Sequence, residues 1–352
     1  MNARPGRGSR SFWRRFVCMA ALALGCFAGG GAAEAAPDAL ASLARQTEAG
    51  TFRRFDAPLP AGTGSFSELL RVDTEDGKSL AIHGWSDSGH WDPKRKRAYF
   101  LGLRRYLKFI CFDERRGAWL ELGWQGDAPA RYEQFGHIYG RTALDWRRGH
   151  YYRLGGEAGL YRYLIDEERW EALPGAPVTG FVPMEWHYGL DRLVALGRGG
   201  HLFAFRDGEW TRMGRSAVDG YHSLARFNAK RGDMLVAGGN DSPRKVDLID
   251  GKGTVRHLRD APFDMLIKNT DLSYDPVSGN YLVFWSGGRV MYELDPERDE
   301  WRLAAEWNAI TWPFGYSPGG AGMVPIPIDE YGVILWLHES GALVYRHRSV
   351  FH

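Results

Sequence analysis

Leu202-Phe203-Ala204-Phe205-Arg206-Asp207-Gly208-Glu209-Trp210-Thr211-Arg212-Met213 reads as two short strands joined by a tight turn. Apolar side chains alternate through the first half, Asp207-Gly208 supplies the turn, and the second strand opens on an aromatic residue. The same phrase recurs. It appears as Phe109 to Asp113 then Trp119 to Leu122, as Tyr161 to Asp166 then Trp170 to Leu173, and as Val246 to Asp250 then Val255 to Leu258. Val290 to Asp295 then Trp301 to Leu303 is a further copy. The anchors at 119, 170, 210, 255 and 301 are spaced 40 to 51 residues apart.

A second hairpin precedes most copies, with an Asp- or Asn-led turn and a short apolar strand. Examples are Asp145 to Gly149 before Tyr151, Asn228 to Gly232 before Met234, Asp275 to Gly279 before Tyr281, and Asp329 to Gly332 before Val333. Four short strands at this period are the unit of a β-propeller blade. A β-sandwich would not repeat itself, and a β-helix has a shorter period.

The last copy is incomplete. Ala342 to Tyr345 is a third strand, and too few residues follow for a full fourth. Gly50-Thr51-Phe52-Arg53-Arg54-Phe55 resembles Gly253-Thr254-Val255-Arg256-His257-Leu258, so the N-terminal segment is expected to supply the missing strand. The expected fold is therefore all-β: a six-bladed β-propeller over residues 50–352, its ring closed by a strand at about residues 50–56. That pairing removes two exposed sheet edges.

The remainder divides into an export signal at 1–35 and a linker at 36–49. Five arginines (Arg4, Arg7, Arg10, Arg14 and Arg15) precede or open an apolar run from Phe16 to Phe27, and Ala33-Glu34-Ala35 is a small-x-small cleavage site. The run is short for a bilayer span and is broken by Gly29 to Gly31, which argues against a retained anchor. Arg14-Arg15 is a weak twin-arginine signal. Ala23-Leu24-Gly25-Cys26 is a poor lipidation signal, because Leu is expected where Ala23 stands. The expected location is periplasmic or secreted, with lipidation at Cys26 as the lesser alternative. Of the three cysteines, Cys18 and Cys26 fall inside the signal, and Cys111 reads as a small core residue.

The formal charge of +2 includes five arginines and one glutamate of the signal, so the chain beyond residue 35 carries −2. Such a balance provides no general field toward nucleic acid or anionic membrane. Glycine is frequent at 45 residues and aromatics make up 14%, as turns and strands require. No Gly-x-Ser-x-Gly, His-Glu-x-x-His, phosphate loop or paired-cysteine metal signature occurs.

These repeats resemble the kelch family. Gly155-Gly156, Gly238-Gly239 and Gly287-Gly288 match its glycine pair after the second strand, and Trp170, Trp210 and Trp301 match its fourth-strand tryptophan. Blade one has Gly102-Leu103 in place of the pair, and blade four has Val255 in place of the tryptophan. The resemblance implies a propeller whose exported six-bladed members include sugar mutarotases, so an epimerase, mutarotase or lyase is one expectation. The tryptophans read first as packing between blades.

In propellers the loops leading into the innermost strands converge on one mouth of the channel. Here those loops carry His83, Trp85 and Asp87; His137, Tyr139 and Arg141; Glu185, Trp186 and His187; Tyr221 and His222; Lys268, Asn269 and Asp271; and Trp312 and Tyr316. The expectation is a funnel with aromatic walls for a sugar face and Arg or His for an anionic group. The plain alternative is a solvated channel lining. His83, His137, His187 and His222 do not share one alignment, and no Asp or Glu spacing fixes a coordination geometry, so neither a metal nor another cofactor is expected. Glu185 and Asp271, with His137 or His222, are the acid and base candidates for sugar chemistry. The competing expectation is a non-enzymatic platform that binds an envelope protein. The insertions at 57–82 and 303–322 fit a lid, a partner site or decoration.

Overall fold

In the computed structural model the described residues are 38–351, apart from 179, 181 and 315–321. The expected signal at 1–35, with Cys18 and Cys26, lies outside them, as does Tyr316. Six sheets, antiparallel except where Gln125–Gly126 joins the second one in parallel, form a six-bladed β-propeller. The innermost strands are Gly89–Asp92, Thr142–Asp145, Met184–His187, Ser223–Asn228, Thr270–Tyr274 and Val324–Ile328. Each lies beside the inner strands of the two adjoining blades, the sixth beside the first.

The repeated phrase maps onto the outer half of each blade. Ala118–Glu121, Arg169–Leu173, Glu209–Arg215, Val255–His257 and Glu300–Glu306 are the fourth strands, carrying the anchor residues named above. Their turns explain the recurring Asp. One Asp92 carboxylate oxygen accepts from the backbone N–H groups of Lys94 and Arg95, and Asp113, Asp145 and Asp295 do the same two and three residues on. A short acidic side chain at the first turn position satisfies donors that the bend removes from the ladder.

In blade one, Arg97–Asp113 is continuous strand of 17 residues. It is nonetheless folded on itself. The Glu114 amide donates to the Lys96 carbonyl at 3.0 Å, and Arg97 pairs with Asp113. The bend is at Arg104 to Tyr106, where Arg105 has φ 63° and Arg104 and Tyr106 pair with Tyr132–His137.

The sixth sheet is completed by β1 (Thr51–Phe55), antiparallel to Gly341–Arg346 with Phe52 opposite Tyr345 and Phe55 opposite Ala342. The Phe52 and Tyr345 rings stack at 4.3 Å, and Phe55 packs edge-on to Phe112 of blade one. Part of the expected linker is helical: α1 (Ala39–Gln46) buries Leu40, Ala41 and Ala44. Arg346 donates to the carbonyls of Ala44 and Thr47 at its C-terminal end, and Glu114 accepts from the Ala41 amide. Eight residues hold too little of the apolar period for the pattern to show in sequence.

Side-chain packing between blades follows the tryptophans in part. Trp170 is fully buried, stacked on Trp124 at 5.6 Å, and lies 5.7 Å from Phe109 of blade one. Cys111 is a buried free thiol, its pKa pushed up to about 12 by burial. The insertion at 57–82 packs down through Leu69, Leu70 and Ile82, all fully buried.

Gly238 shows why one glycine pair is needed. At φ 71° a β-carbon there would lie 2.1 Å from the Met265 carbonyl oxygen, which is backbone and cannot swing away. Gly238→Ala combines a left-handed conformation with this clash, so a loss of at least about 2 kcal/mol in urea unfolding is expected. A change within about 0.5 kcal/mol would show that the backbone relaxes freely there.

Candidate functional site

The loops leading into the inner strands bring several of the expected residues together around Trp85. His137 stacks on Trp85 at 4.3 Å and 24°, and His222 meets it edge-on at 5.5 Å. Tyr139 lies 5.7 Å from His137 and 5.3 Å from Tyr221, and the two tyrosine hydroxyls are hydrogen-bonded. His137 Nε2 meets Arg104 at 2.8 Å, and His222 Nδ1 meets Asn240 at 3.0 Å. Trp85, Tyr139 and His222 have φ of 59°, 51° and 72°. Non-glycine residues held there cost roughly 1–3 kcal/mol each, so the surrounding packing over-determines this cluster. Burial, with the charges of Arg104 and His222, holds the His137 pKa down at about 3, so its ring is neutral.

Arg141 is engaged by the protein itself. It is fully buried, donating to the carbonyls of His137 at 2.7 Å and Ile138 at 3.1 Å, with Glu133 beside it. Burial lowers its pKa to about 10. Its fork supports the loop that carries His137 and Tyr139.

Further along the channel sit Asp87, Glu185 and Asp271, gathered around Arg226. Arg226 lies on the inner strand of blade four and reaches across to blades five and one. Its guanidinium donates to the carbonyls of Leu272 at 3.3 Å and Gly89 at 3.0 Å and to that of Asp87, and pairs with Glu185 at 3.5 Å. Burial pushes Asp87 up to about 6 and Glu185 up to about 8, with Arg226 pulling both back. Asp271 is raised by burial and by the charge of Asp87. His90 bonds Thr142 at 3.0 Å and stands 3.9 Å from Glu185. Burial and Arg226 hold its pKa well below the usual imidazole value. Arg226 was missed in the sequence reading. Its signal was a lone charge inside the otherwise apolar inner stretch Leu224-Ala225-Arg226-Phe227.

The other expected residues are elsewhere. His83 meets His338 edge-on at 5.8 Å, between blades one and six, and burial holds its pKa at about 3. His187 lies at the far end of its inner strand, bonded to the Ile249 carbonyl at 3.2 Å. Asn269 accepts a hydrogen bond from the Thr270 hydroxyl at 3.0 Å. The four histidines thus do not form one constellation. Among the described residues, no three His, Cys, Asp or Glu side chains gather in a metal-ligand arrangement.

A cavity of about 430 Å³ opens at the opposite end of the inner strands, beside the turns that leave them. Trp91, Trp146, Trp186 and Tyr188 line it, with the buried Glu185 and Arg226 and the exposed Lys230 and Glu330. Trp146 and Tyr188 pack at 5.7 Å, and the Tyr188 hydroxyl donates to the Leu144 carbonyl at 2.6 Å, which fixes that wall. Trp91 is held by its indole N–H to Glu330 at 2.7 Å. The buried Trp186 indole N–H has no hydrogen-bond acceptor. The sequence carried this signal as an aromatic at or next to the end of each of the first three inner strands, beside turns read only as hairpin connections. A second cavity, of about 550 Å³, lies on the Trp85 side between blades three and four, lined by Arg198, Asp219, Tyr221 and Asp241.

No family model matches the chain. No curated protein matches its sequence significantly. Among solved structures, a structural-genomics protein of unknown function from Bacteroides thetaiotaomicron aligns at TM-score 0.53 and 11% identity, over 84% of this chain and 75% of that one. That likeness shows the fold. A chain of the nidogen/laminin complex aligns at TM-score 0.47 and 11% identity, over 64% of this chain and 81% of that one, and carries no argument. Among the described residues, no helix is long and apolar enough to cross a membrane.

Proposed function

We propose that the protein binds a small carbohydrate, neutral or acidic, in the cavity at the outgoing end of the inner strands. The observation that carries this reading is the aromatic wall of Trp91, Trp146, Trp186 and Tyr188 beside buried Glu185 and Arg226. Aromatic faces suit the apolar C–H face of a sugar ring. Glu185, protonated at neutral pH by its raised pKa, can both donate to and accept from hydroxyls, and Lys230 offers a charge for a sugar acid. The proposal moves the ligand away from the Trp85 mouth, where the rings pack on one another although Trp85 Nε1, His137 Nδ1 and His222 Nε2 have no hydrogen-bond partner.

The 3.9 Å approach of His90 to Glu185 supports a second reading, a carbohydrate-active enzyme using the same cavity. There a protonated carboxyl would act as acid and a neutral imidazole as base. A platform for an envelope protein has less support. The exposed large apolar residues Tyr132, Tyr221, Val277, Leu303 and Ile310 are scattered over several blades rather than joined in a patch. Export to the periplasm and kelch kinship belong to the same proposal. They rest on the basic and apolar stretch at 1–35 and on the glycine pairs and outer-strand tryptophans.

A thermal-shift screen against neutral and acidic sugars tests the reading. A ligand at a hundredfold its Kd adds about 2.7 kcal/mol and raises Tm by several degrees. The shift is expected to vanish in Trp146→Ala, a half-buried wall residue, and for sugar acids to shrink in Lys230→Ala. A shift untouched by Trp146→Ala but lost in Tyr221→Ala would move the site to the Trp85 mouth. No shift with any sugar, with an envelope protein co-purifying, would favour the platform.

A further inference from the structure

We propose that the middle of the channel is a binding site for one divalent, oxygen-seeking cation of the calcium class, held by Asp87 and Asp271. Both side chains are at most 1% exposed, and all four of their carboxylate oxygens lack a hydrogen-bond partner. Ser273 stands two positions beyond Asp271 on the same inner strand, and so on the same face. Its hydroxyl is equally buried and equally without a partner. Five oxygens in one part of a protein interior without a donor or acceptor are far from the usual state of buried polar atoms.

The neighbouring side chains do not supply the missing partners, although the backbone amides of Leu272 and of Asp87 itself approach the Asp87 carboxylate. The Arg226 donors go to the backbone carbonyls of Leu272, Gly89 and Asp87. Ser86 and Ser88 donate to the Tyr139 carbonyl, and His90 is bonded to Thr142. Charge leads to the same place. With Glu185 protonated, Asp87 and Asp271 when ionised carry −2 against the single +1 of Arg226, and the uncompensated buried charge must be met by protons or by a cation. A divalent ion competes with protons for that place.

The donor set also selects the ion. The groups left over are carboxylate and hydroxyl oxygens, with neither a thiolate nor an uncommitted imidazole among them, which suits a hard cation. Two carboxylates with one hydroxyl leave the remaining positions to carbonyl groups or water, as the irregular coordination of calcium allows. The two aspartates come from blades one and five, so a bound ion would tie non-adjacent blades across the channel.

The test uses the full chain, dialysed against chelator and then studied at pH 8 with calcium, magnesium or neither. One calcium per chain is expected by elemental analysis after desalting from 1 mM calcium, with Tm raised by about 5 °C or more. Asp271→Asn should abolish the calcium-dependent rise and at the same time raise Tm of the metal-free protein, because it removes an uncompensated buried charge. Asp87→Asn should do both as well, and serves if the first variant does not fold. Absence of bound metal and of any calcium- or magnesium-dependent shift at pH 8 would overturn the proposal, leaving the carboxyls protonated or hydrated. A calcium shift that persists in both variants would overturn it too, by placing the ion elsewhere. None of these readings depends on the sugar proposal, whose test uses Trp146 and Lys230.

Discussion

A chain beginning at Ala57 is expected not to fold to a soluble, cooperative domain. It would lack the outer strand of the sixth sheet and α1 together. β1 contributes a five-residue ladder to Gly341–Arg346, the Phe52–Tyr345 stack and the buried Phe55. α1 contributes Leu40, Ala41 and Ala44, and its loss leaves Arg346 without the carbonyls of Ala44 and Thr47. Truncating a single buried Phe costs about 3–5 kcal/mol, and a whole domain is stable by only about 5–15. The truncated chain also bares the edge of Gly341–Arg346 to other copies. We propose on this basis that β1 fastens the ring. A permuted chain separates fastening from mere mass. Residues 57–351 followed by a flexible Gly/Ser linker and then 38–56 should recover a cooperative transition, because the pairing no longer depends on which end carries the strand. A soluble truncation from Ala57 with an unchanged Tm would refute the idea.

Arg226→Met is expected to be the most damaging single change in the channel, and its cost should depend on pH. Removing one partner of a buried ionic cluster typically costs about 3–5 kcal/mol. Arg226 is the group that pulls Asp87 and Glu185 back toward ordinary carboxylate values. In the wild type they sit at about 6 and about 8, above the value of about 4 for an unfolded chain. The folded state therefore holds more protons than the unfolded state between about pH 4 and pH 8, and stability falls as pH rises through that window. His83 and His137 at about 3 and His338 at about 4 are depressed by burial, so what they contribute is present above about pH 6.5 and is lost as pH falls toward 3. Glu293 acts on the acid side as well. Burial pushes it up, but hydrogen bonds from His347, Ser349, the Val350 amide and Asn280 bring it to about 2. Unfolding measured in chelator should therefore show a maximum near mildly acidic pH in the wild type. Arg226→Met should steepen the alkaline limb and suffer least near pH 5. A flat profile from pH 5 to pH 9 in both proteins would remove the carboxyl cluster from the account.

The blades were legible because their signals are local. Period-two alternation, the Asp that accepts two turn amides and the aromatic opening the outer strand lie within a dozen residues of one another, and each repeats. The strand at 51–55 was legible for the same reason, since it reads like 254–258. The channel was not legible, because its contacts join blades. Arg226 reaches the carbonyl of Gly89 across 137 positions, and His83 faces His338. No spacing in the sequence reports such meetings. Nor could the sequence tell which mouth is filled. His137, Tyr139, Tyr221 and His222 do converge, as expected, but on Trp85 and on one another, whereas Glu185 and Trp186 of the expected residues line the cavity at the other end. Arg141 illustrates the difference between residue type and role: a side chain expected to meet a ligand's carboxylate is used here to hold two backbone carbonyls and the Glu133 carboxylate.

The sixth sheet joins segments from the two ends of the described chain: Arg54 donates to the Ser340 carbonyl across 286 positions. During synthesis, β1 is therefore made well before its partner. Five blades can form their hairpins as they emerge, since each draws its strands from neighbouring stretches of the chain. The last sheet must wait until Gly341–Arg346 has emerged, and for that interval an unpaired strand with two phenylalanines is on offer to other chains. Keeping Phe52 and Phe55 from other chains during that interval therefore bears on the yield of native molecules.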